Sequence, residues 1–328
     1  MIHFYINYDN RTVIDYYLRI IKESFDKAGF STKYITDLNH VAKTDYLFFS
    51  TPLTAFRAWL KGYRRIMLWQ QGLSPEESFM RNKSYFRLYV YNFIERFVLK
   101  RSCFTFMVSE KMKQHYENKY SIDFKNKYFI MPCFNTELNK EIIESKKNHE
   151  TIIFTYIGSL AAWQCFDETL QLYKKIEDQL GNTKLKIFTK EIQDAEEKIK
   201  ANHICNYEVD FVDNLSLASH LQDVKFGFLL RKDTIVNSVS TPTKLSTYLS
   251  AGVIPIFSSC IASFNTLAKD MRYAYSLPAQ IDIQSLLQFC REKVDYHKLQ
   301  LEYEQIFQTY YNRDAYESSI VSYIKKMK

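Results

Sequence analysis

The sequence predicts an α/β protein built from two tandem doubly wound domains that face a cleft. Three observations carry that prediction. Apolar runs of strand length alternate with helix-length patterns along most of the chain, as parallel sheets with helical crossovers require. At 328 residues the chain is too long for one typical core. Near its middle, residues 137–150 read ELNKEIIESKKNHE, charged and free of aromatic residues in a chain that is 16% aromatic, so this stretch is expected to be a linker. The expected boundaries are 1–148 for a first domain, 149–308 for a second, and 309–328 for a helix packing back across the first.

In the first domain, strands are expected at 2–8 (IHFYINY), 32–36, 46–50, 65–69, 104–108 and 128–131, separated by helices at 13–27, 55–61, 85–100 and 110–119. The second opens with a strand at 152–157, a helix at 166–180, a strand at 185–188, a helix at 192–200, a strand at 207–212 and a helix at 218–222. The tail, 299–328, is amphipathic, with Tyr303, Ile306, Phe307, Tyr310 and Tyr311 recurring along one expected helix. No period of about 20 to 50 residues repeats.

The most informative stretch is 225–257, KFGFLLRKDTIVNSVSTPTKLSTYLSAGVIPIF. KFGFLL is strand-like, and a polar loop follows from Arg231 to Ser240. Thr241 is placed to cap a helix whose first position is Pro242, where the missing N–H is harmless. Gly252 closes that helix and VIPIF returns as a buried strand. In open α/β sheets ligands bind at the carboxyl ends of strands, so this loop and helix start lie on the functional rim, and Arg231, Lys232 and Lys244 add positive charge there. The arrangement suits a phosphate; the alternative is an ordinary βαβ unit with solvated basic residues.

Composition narrows the choice of ligand. The chain has only 7 glycines and no G-x-G-x-x-G or Walker pattern, so a phosphate site must use helix ends and side chains. A net charge of +7 fits anionic substrates or an anionic membrane surface and is too diffuse to indicate nucleic acid. Six cysteines without a C-x-x-C pair read as reduced thiols. The first residues enter a strand at once, without a signal-peptide core, and no apolar stretch has membrane-spanning length, so a cytoplasmic location is expected.

With these motifs in order, the chain resembles the GT-B glycosyltransferases, whose two domains are Rossmann-like, and within them the retaining, family 4-like group that includes capsule and O-antigen transferases. GFLLRKDTIVNSVSTPTKLSTYLSAGVIPI looks like the donor-binding region of that group. The resemblance places Thr243, Lys244 and Leu245 beside a nucleotide diphosphate, with Ser240 and Thr241 in the same turn. Arg231 and Asn237 would reach the diphosphate or the sugar, and Asn237 is a candidate catalytic residue. YIGSL, at 156–160, resembles the first strand and loop of the donor domain and assigns Gly158 and Ser159 to the donor; Trp163 and Gln164 follow, to line the sugar site, with Trp163 in the core as the alternative. In the first domain, WQQGLSPEE at 69–77 looks like the group's QG-x-x-PEE stretch, with Gln71 and Gly72 toward the acceptor. VSEKMKQHY and MPCFN, at 108–116 and 131–135, resemble the end of the acceptor domain.

The chain departs from that pattern in three places. Val239 and Thr247 stand where the group carries the two glutamates of its E-x7-E signature, which moves any ribose grip to residues such as Ser246 and Asn237. The Arg and Lys that follow the donor domain's first strand are also missing, leaving Arg231, Lys232, Lys244 and Lys190 to neutralise the diphosphate. Cations and a helix N-terminus can do that without metal. No D-x-D pair occurs, and His3, His40, His115, His203 and His220 are isolated, so no metal or other cofactor is expected. Glu76 and Glu77 are the candidate catalytic carboxylates, to orient the acceptor hydroxyl or stabilise cationic character at the sugar; alternatively they stabilise a helix dipole. The basic, aromatic helix at 85–101 is either a buried domain helix or a face resting on a membrane that carries a lipid-linked acceptor.

The resemblance implies transfer of a sugar from a nucleotide diphosphate sugar to a surface glycan of the capsule, O-antigen or lipopolysaccharide kind, with retention. Two other readings stand beside it. One is a catalytically silent GT-B subunit that binds nucleotide or glycan within an assembly. The other is a GT-B epimerase.

Overall fold

The computed structural model describes residues 1–6, 11–213 and 216–325. The chain divides into two compact units: the first holds Met1–Cys133, the short segment Ser238–Thr241 and the chain from Asn312 onward, and the second holds Phe134–Asn237 and Pro242–Tyr311.

The first unit is a six-stranded sheet in the order β2-β1-β3-β4-β5-β6, every neighbouring pair parallel. Its strands and helices alternate as β1 (Ile2–Tyr5), α1 (Arg11–Lys27), β2 (Thr32–Ile35), β3 (Tyr46–Phe49), α2 (Pro52–Leu60), β4 (Ile66–Gln70), α3 (Ser74–Asn82), α4 (Tyr85–Arg101), β5 (Phe104–Met107), α5 (Glu110–Tyr120) and β6 (Tyr128–Ile130). The heavy aromatic content is absorbed here. Tyr34, Phe4, Phe48, Phe106 and Phe129 form a row across the sheet with ring centroids 4.7 to 6.0 Å apart, spacings at which edge and tilted pairs attract. Helix α3 is absent from the sequence prediction, although Ser-Pro-Glu-Glu, with Pro in the first turn followed by two acids, is a helix-start pattern. Of the first expected strand, residues 7 and 8 lie outside the described residues.

The second unit repeats the plan with the order β12-β11-β10-β7-β8-β9, again parallel throughout. Its elements are α6 (Lys140–Ser145), β7 (Ile152–Ile157), α7 (Phe166–Leu180), β8 (Thr183–Phe188), α8 (Ile192–Ala201), β9 (Tyr207–Asp210), α9 (Leu217–His220), β10 (Phe226–Leu229), α10 (Ile235–Val239, whose last residues group with the first unit), α11 (Thr243–Ser250), β11 (Ile254–Ser258), α12 (Ala262–Leu267), β12 (Tyr275–Leu277), α13 (Ile283–Arg291) and α14 (Tyr296–Thr309). Phe154 stacks on Phe226 and Phe228 at 5.2 and 5.5 Å, tying the two central strands. The doubly wound class predicted from the alternation is therefore the observed one, twice over.

Two features differ from expectation. The tail is two helices, α14 and then α15 (Arg313–Lys325), because Asn312 starts a new one: its side chain accepts from the Ala315 N–H at 2.9 Å, an N-cap that interrupts continuous winding. Helix α15 packs on α1, where Arg313 reaches Glu23 at 2.7 Å and Lys27 pairs with Glu317. The charged stretch 137–150 contains α6, caps it with Asn139, buries Ile143 completely, and groups with the second unit.

Candidate functional site

The carboxyl ends of β7 and β10 and the start of α11 converge in the second unit. β7 runs out at Ile157 into Gly158, whose φ of +139° is strained for any residue with a Cβ. A Cβ there would also sit 2.1 Å from Lys244 Nζ, so the glycine is what lets the lysine lie against the backbone. Lys244, in the first turn of α11, donates to Gln164 Oε1 at 2.6 Å. Beyond β10, the Arg231 N–H donates to Ser258 Oγ at 2.8 Å, and its guanidinium donates to the carbonyls of Leu230 (2.8 Å) and Gln164 (3.4 Å). One residue, Gln164, thus holds both cations, by its side chain and by its backbone.

The electrostatics of this corner are unbalanced. Burial, and then the charge of Arg231, hold the Lys244 ammonium well below the usual lysine range. Burial likewise lowers Arg231. Among the described residues neither makes an ion pair with a carboxylate. Two positive groups that neutral oxygens alone satisfy favour the arrival of an anion. Tyr156, whose ring lies 5.4 Å beneath Lys244, closes the floor, its hydroxyl donating to Ser159 O at 2.7 Å.

Several sequence candidates lie elsewhere. Lys232 is exposed and pairs with Glu168 at 2.9 Å. Lys190 lies over the Phe211 ring at 5.4 Å. Leu245 is a core residue, 1% exposed. Asn237 is buried and its amide donates to Lys232 O at 2.9 Å, closing the loop. Trp163 and Thr243 are half-buried beside Gln164 and Lys244 in the chain, and Ser159 is exposed. The helix begins at Thr243, one residue later than predicted, with Pro242 in the cap position and no side-chain cap. The reason is that the Thr241 hydroxyl accepts from the Cys133 N–H at 2.8 Å within the first unit, where Ser240 also belongs. Thr247 donates to Asn135 Oδ1 at 3.3 Å, and Ser246 reaches the same oxygen at 3.2 Å.

In the first unit, Glu76 and Glu77 open α3 and face different ways. Glu77 Oε1 accepts from the Leu73 N–H at 3.2 Å, and a Cβ on Gly72 would lie 2.0 Å from that oxygen. Gly72 is therefore needed for the carboxylate to fold back over the helix start. Burial raises the Glu77 carboxyl. Its side chain also lines a cavity of about 440 Å³ with Arg81, Arg87, Asn82 and Tyr91. Glu76 turns into a buried network: Lys119 donates to it at 2.6 Å and also lies 3.6 Å from Glu95, which is fully buried and receives the Tyr120 hydroxyl at 2.7 Å. Burial tends to raise Glu76, but the contacts from His115 and Lys119 outweigh it and leave it lowered. For Glu95 burial wins, pushing the carboxyl up to about 7. Gln71, half-buried, follows β4, and the Gly72 carbonyl accepts from Tyr116 at 3.2 Å.

Residues that sequence reasoning did not assign to the site include Asn135, Glu191, which accepts from the Leu160 N–H at 3.3 Å under the β7–α7 loop, and the pair Glu95–Lys119. A Glu inside the apolar run YVYNFIERFV was a readable sign of a buried partner; the other two needed the fold. Among the described residues no three His, Cys, Asp or Glu side chains are grouped as metal ligands, and no helix is long and apolar enough to cross a membrane.

No family model matches the sequence, and no curated protein matches it. Solved structures do match in fold. WaaG, a glycosyltransferase involved in lipopolysaccharide biosynthesis, aligns with a TM-score of 0.63 and 11% identity over 98% of this chain and 99% of its own. Sucrose-phosphate synthase from Thermosynechococcus elongatus aligns with a TM-score of 0.69 and 10% identity over 99% and 98%. A TarM variant from S. aureus, solved with Fondaparinux, alpha-GlcNAc-glycerol and UDP, aligns with a TM-score of 0.63 and 10% identity over 88% of this chain, which spans only 57% of TarM. At such identities the likeness is one of fold, and that fold is the GT-B arrangement of two doubly wound domains.

Proposed function

We propose that the protein is a family 4-like glycosyltransferase. It moves a hexose-like sugar, with retention, from a nucleotide diphosphate sugar to a surface glycan of the capsule, O-antigen or lipopolysaccharide kind, lipid-linked and met at the inner face of the membrane. The observation that carries the reading is the pair Lys244 and Arg231, held by Gln164 against Gly158 at the carboxyl ends of the strands, with no carboxylate among the described residues paired to either. As the sugar leaves, negative charge develops on the diphosphate. Two fixed cations in a poorly solvated corner stabilise that charge without having to reorganise. The departing phosphate then takes the acceptor's proton, so the chemistry asks no strong base of the protein. The GT-B fold and the fold neighbours, one involved in lipopolysaccharide biosynthesis and one solved with UDP, support the class.

In this reading the cations meet the diphosphate directly, and donor binding survives a chelator. The test is a titration of nucleotide diphosphates, UDP first, by calorimetry, followed by an assay for free nucleotide diphosphate. Release that requires an acceptor supports transfer. Binding without release under any acceptor favours a second reading, a silent GT-B subunit. Val239 and Thr247 speak for that second reading: at the two places where the resembling group carries glutamates, one is fully buried and the other is bonded to Asn135.

A further inference from the structure

Helix α4 buries one side and exposes the wrong kind of residue on the other. Ser84 caps it. Ile94, Glu95, Val98 and Leu99 face the interior, each 6% exposed or less. Opposite them, Tyr85, Phe86, Tyr89, Val90 and Phe93 are 66%, 78%, 74%, 41% and 62% exposed. Of the eleven large hydrophobic residues exposed in the described chain, these five fall within nine consecutive positions. Scattered exposed apolar residues are ordinary; a cluster marks a surface that something covers.

At about 100° per residue the five occupy an arc of roughly 140°, and the same arc continues one turn later through exposed Arg96 and Lys100. The only acid on the helix is Glu95, fully buried. The outward face therefore carries aromatic bodies, two tyrosine hydroxyls and positive charge, with no carboxylate. Phe56, which packs on Phe93 at 6.4 Å and on Phe97 at 5.2 Å, supports the face from below, so the rings project from a rigid base.

We propose that this face docks the protein on an anionic bilayer surface, with α4 lying in the plane of the interface. The aromatic rings would enter the headgroup boundary while Arg96 and Lys100 meet anionic lipid phosphates. Charge decides between this occupant and a second copy of the chain, because two such faces brought together would oppose their own cations with no acid between them. The inference rests on the proposed function only in giving a lipid-linked acceptor a surface to be met on. Vesicle binding itself needs neither donor nor transfer, so the two can fail separately.

The experiment is co-sedimentation of the full chain with phosphatidylcholine vesicles, with and without phosphatidylglycerol, in the absence of nucleotide. The expected result is binding at least about tenfold stronger to the anionic vesicles, weakened as salt rises above about 0.1 M. The double variant Phe86→Ser, Phe93→Ser should lose about tenfold or more with its melting temperature unchanged, and Arg96→Glu with Lys100→Glu should lose the preference for anionic lipid. Absence of wild-type binding to anionic vesicles would overturn the proposal, as would binding equal in wild type and both variants. So would a concentration-dependent dimer that the Phe86→Ser, Phe93→Ser variant abolishes.

Discussion

Lys146 and Lys244 are lysines of the same unit whose ammonium groups both suffer from burial, yet their surroundings differ in kind. Lys146 is 6% exposed and gives hydrogen bonds to three carbonyls, those of Leu221 (2.8 Å), Gln222 (3.2 Å) and Val224 (2.7 Å). All three of its donors are used. Burial pulls it down to about 7, and the carbonyl cage offsets that cost. Lys244 has one hydrogen bond to a neutral oxygen, from Gln164, and a cationic neighbour in Arg231 that makes matters worse. A closed site stabilises the fold, whereas an open one is held in place by the fold and improved by a ligand. On this contrast Lys146 is a structural lysine, and Lys244 is the one the proposed donor site uses.

Substitution should separate the two most sharply at Lys146. Lys146→Met strands three carbonyls and is expected to lower stability by about 3 kcal/mol, since an unmet buried acceptor costs roughly 1 to 3 kcal/mol. Lys244→Met should leave stability unchanged or slightly raised; denaturant unfolding of both variants checks the pair.

Binding should reverse that order. Lys244→Met is expected to weaken UDP by about 2 kcal/mol, the range of a charge-assisted hydrogen bond, while Lys146→Met that remains folded binds as wild type. The sign with pH follows from the lowered ammonium. A bound diphosphate favours the charged form, so binding takes up a proton, and wild-type affinity falls as pH rises. Calorimetry in buffers of different ionisation enthalpy would show the uptake, and it should vanish in Lys244→Met.

The first unit supplies a buried charge of the other sign. Glu95 is raised to about 7 from an ordinary 4.5, so between those values the folded state binds more protons than the unfolded one. Its contribution to stability is complete below about pH 4.5 and is lost as pH climbs through about 7. Glu95→Gln should therefore flatten part of the fall in melting temperature between about pH 5 and 7.5, a difference on the order of 1 to 2 kcal/mol. A slope identical to wild type would mean that Lys119 already compensates the carboxylate.

The smallest effect expected is at Gln164→Glu. A carboxylate 2.6 Å from the ammonium would close the open site from within, and UDP should weaken by about 1 kcal/mol as it competes with that internal anion. Tighter binding would instead mean that the diphosphate does not meet Lys244.

Local pattern along the chain was enough to read the class of fold and the segment that forms the rim. Strand and helix periods are local properties, and Pro242, Gly252 and the apolar runs around them mark their segment without help from distant residues. It also presented Lys244 and Arg231 as candidates, because a position after a strand or at a helix start is readable from the chain. What it could not decide was which cations share a corner. Lys190, Lys232, Arg231 and Lys244 look alike as letters. Only the packed structure sends Lys232 to Glu168 and Lys190 to Phe211, and sets Lys244 on the bare backbone of Gly158. The charged stretch 137–150 misled for the same reason. Composition points to a linker, but Ile143 and Lys146 are buried against Gly252, where a Cβ would come within 3.1 Å of the lysine stem, because burial depends on what arrives from elsewhere in the chain. Helix α4 shows the converse. Its aromatic residues read as a buried domain helix or as a surface face, and tertiary packing turns Val98 and Leu99 inward and leaves Phe86 and Tyr89 to the solvent.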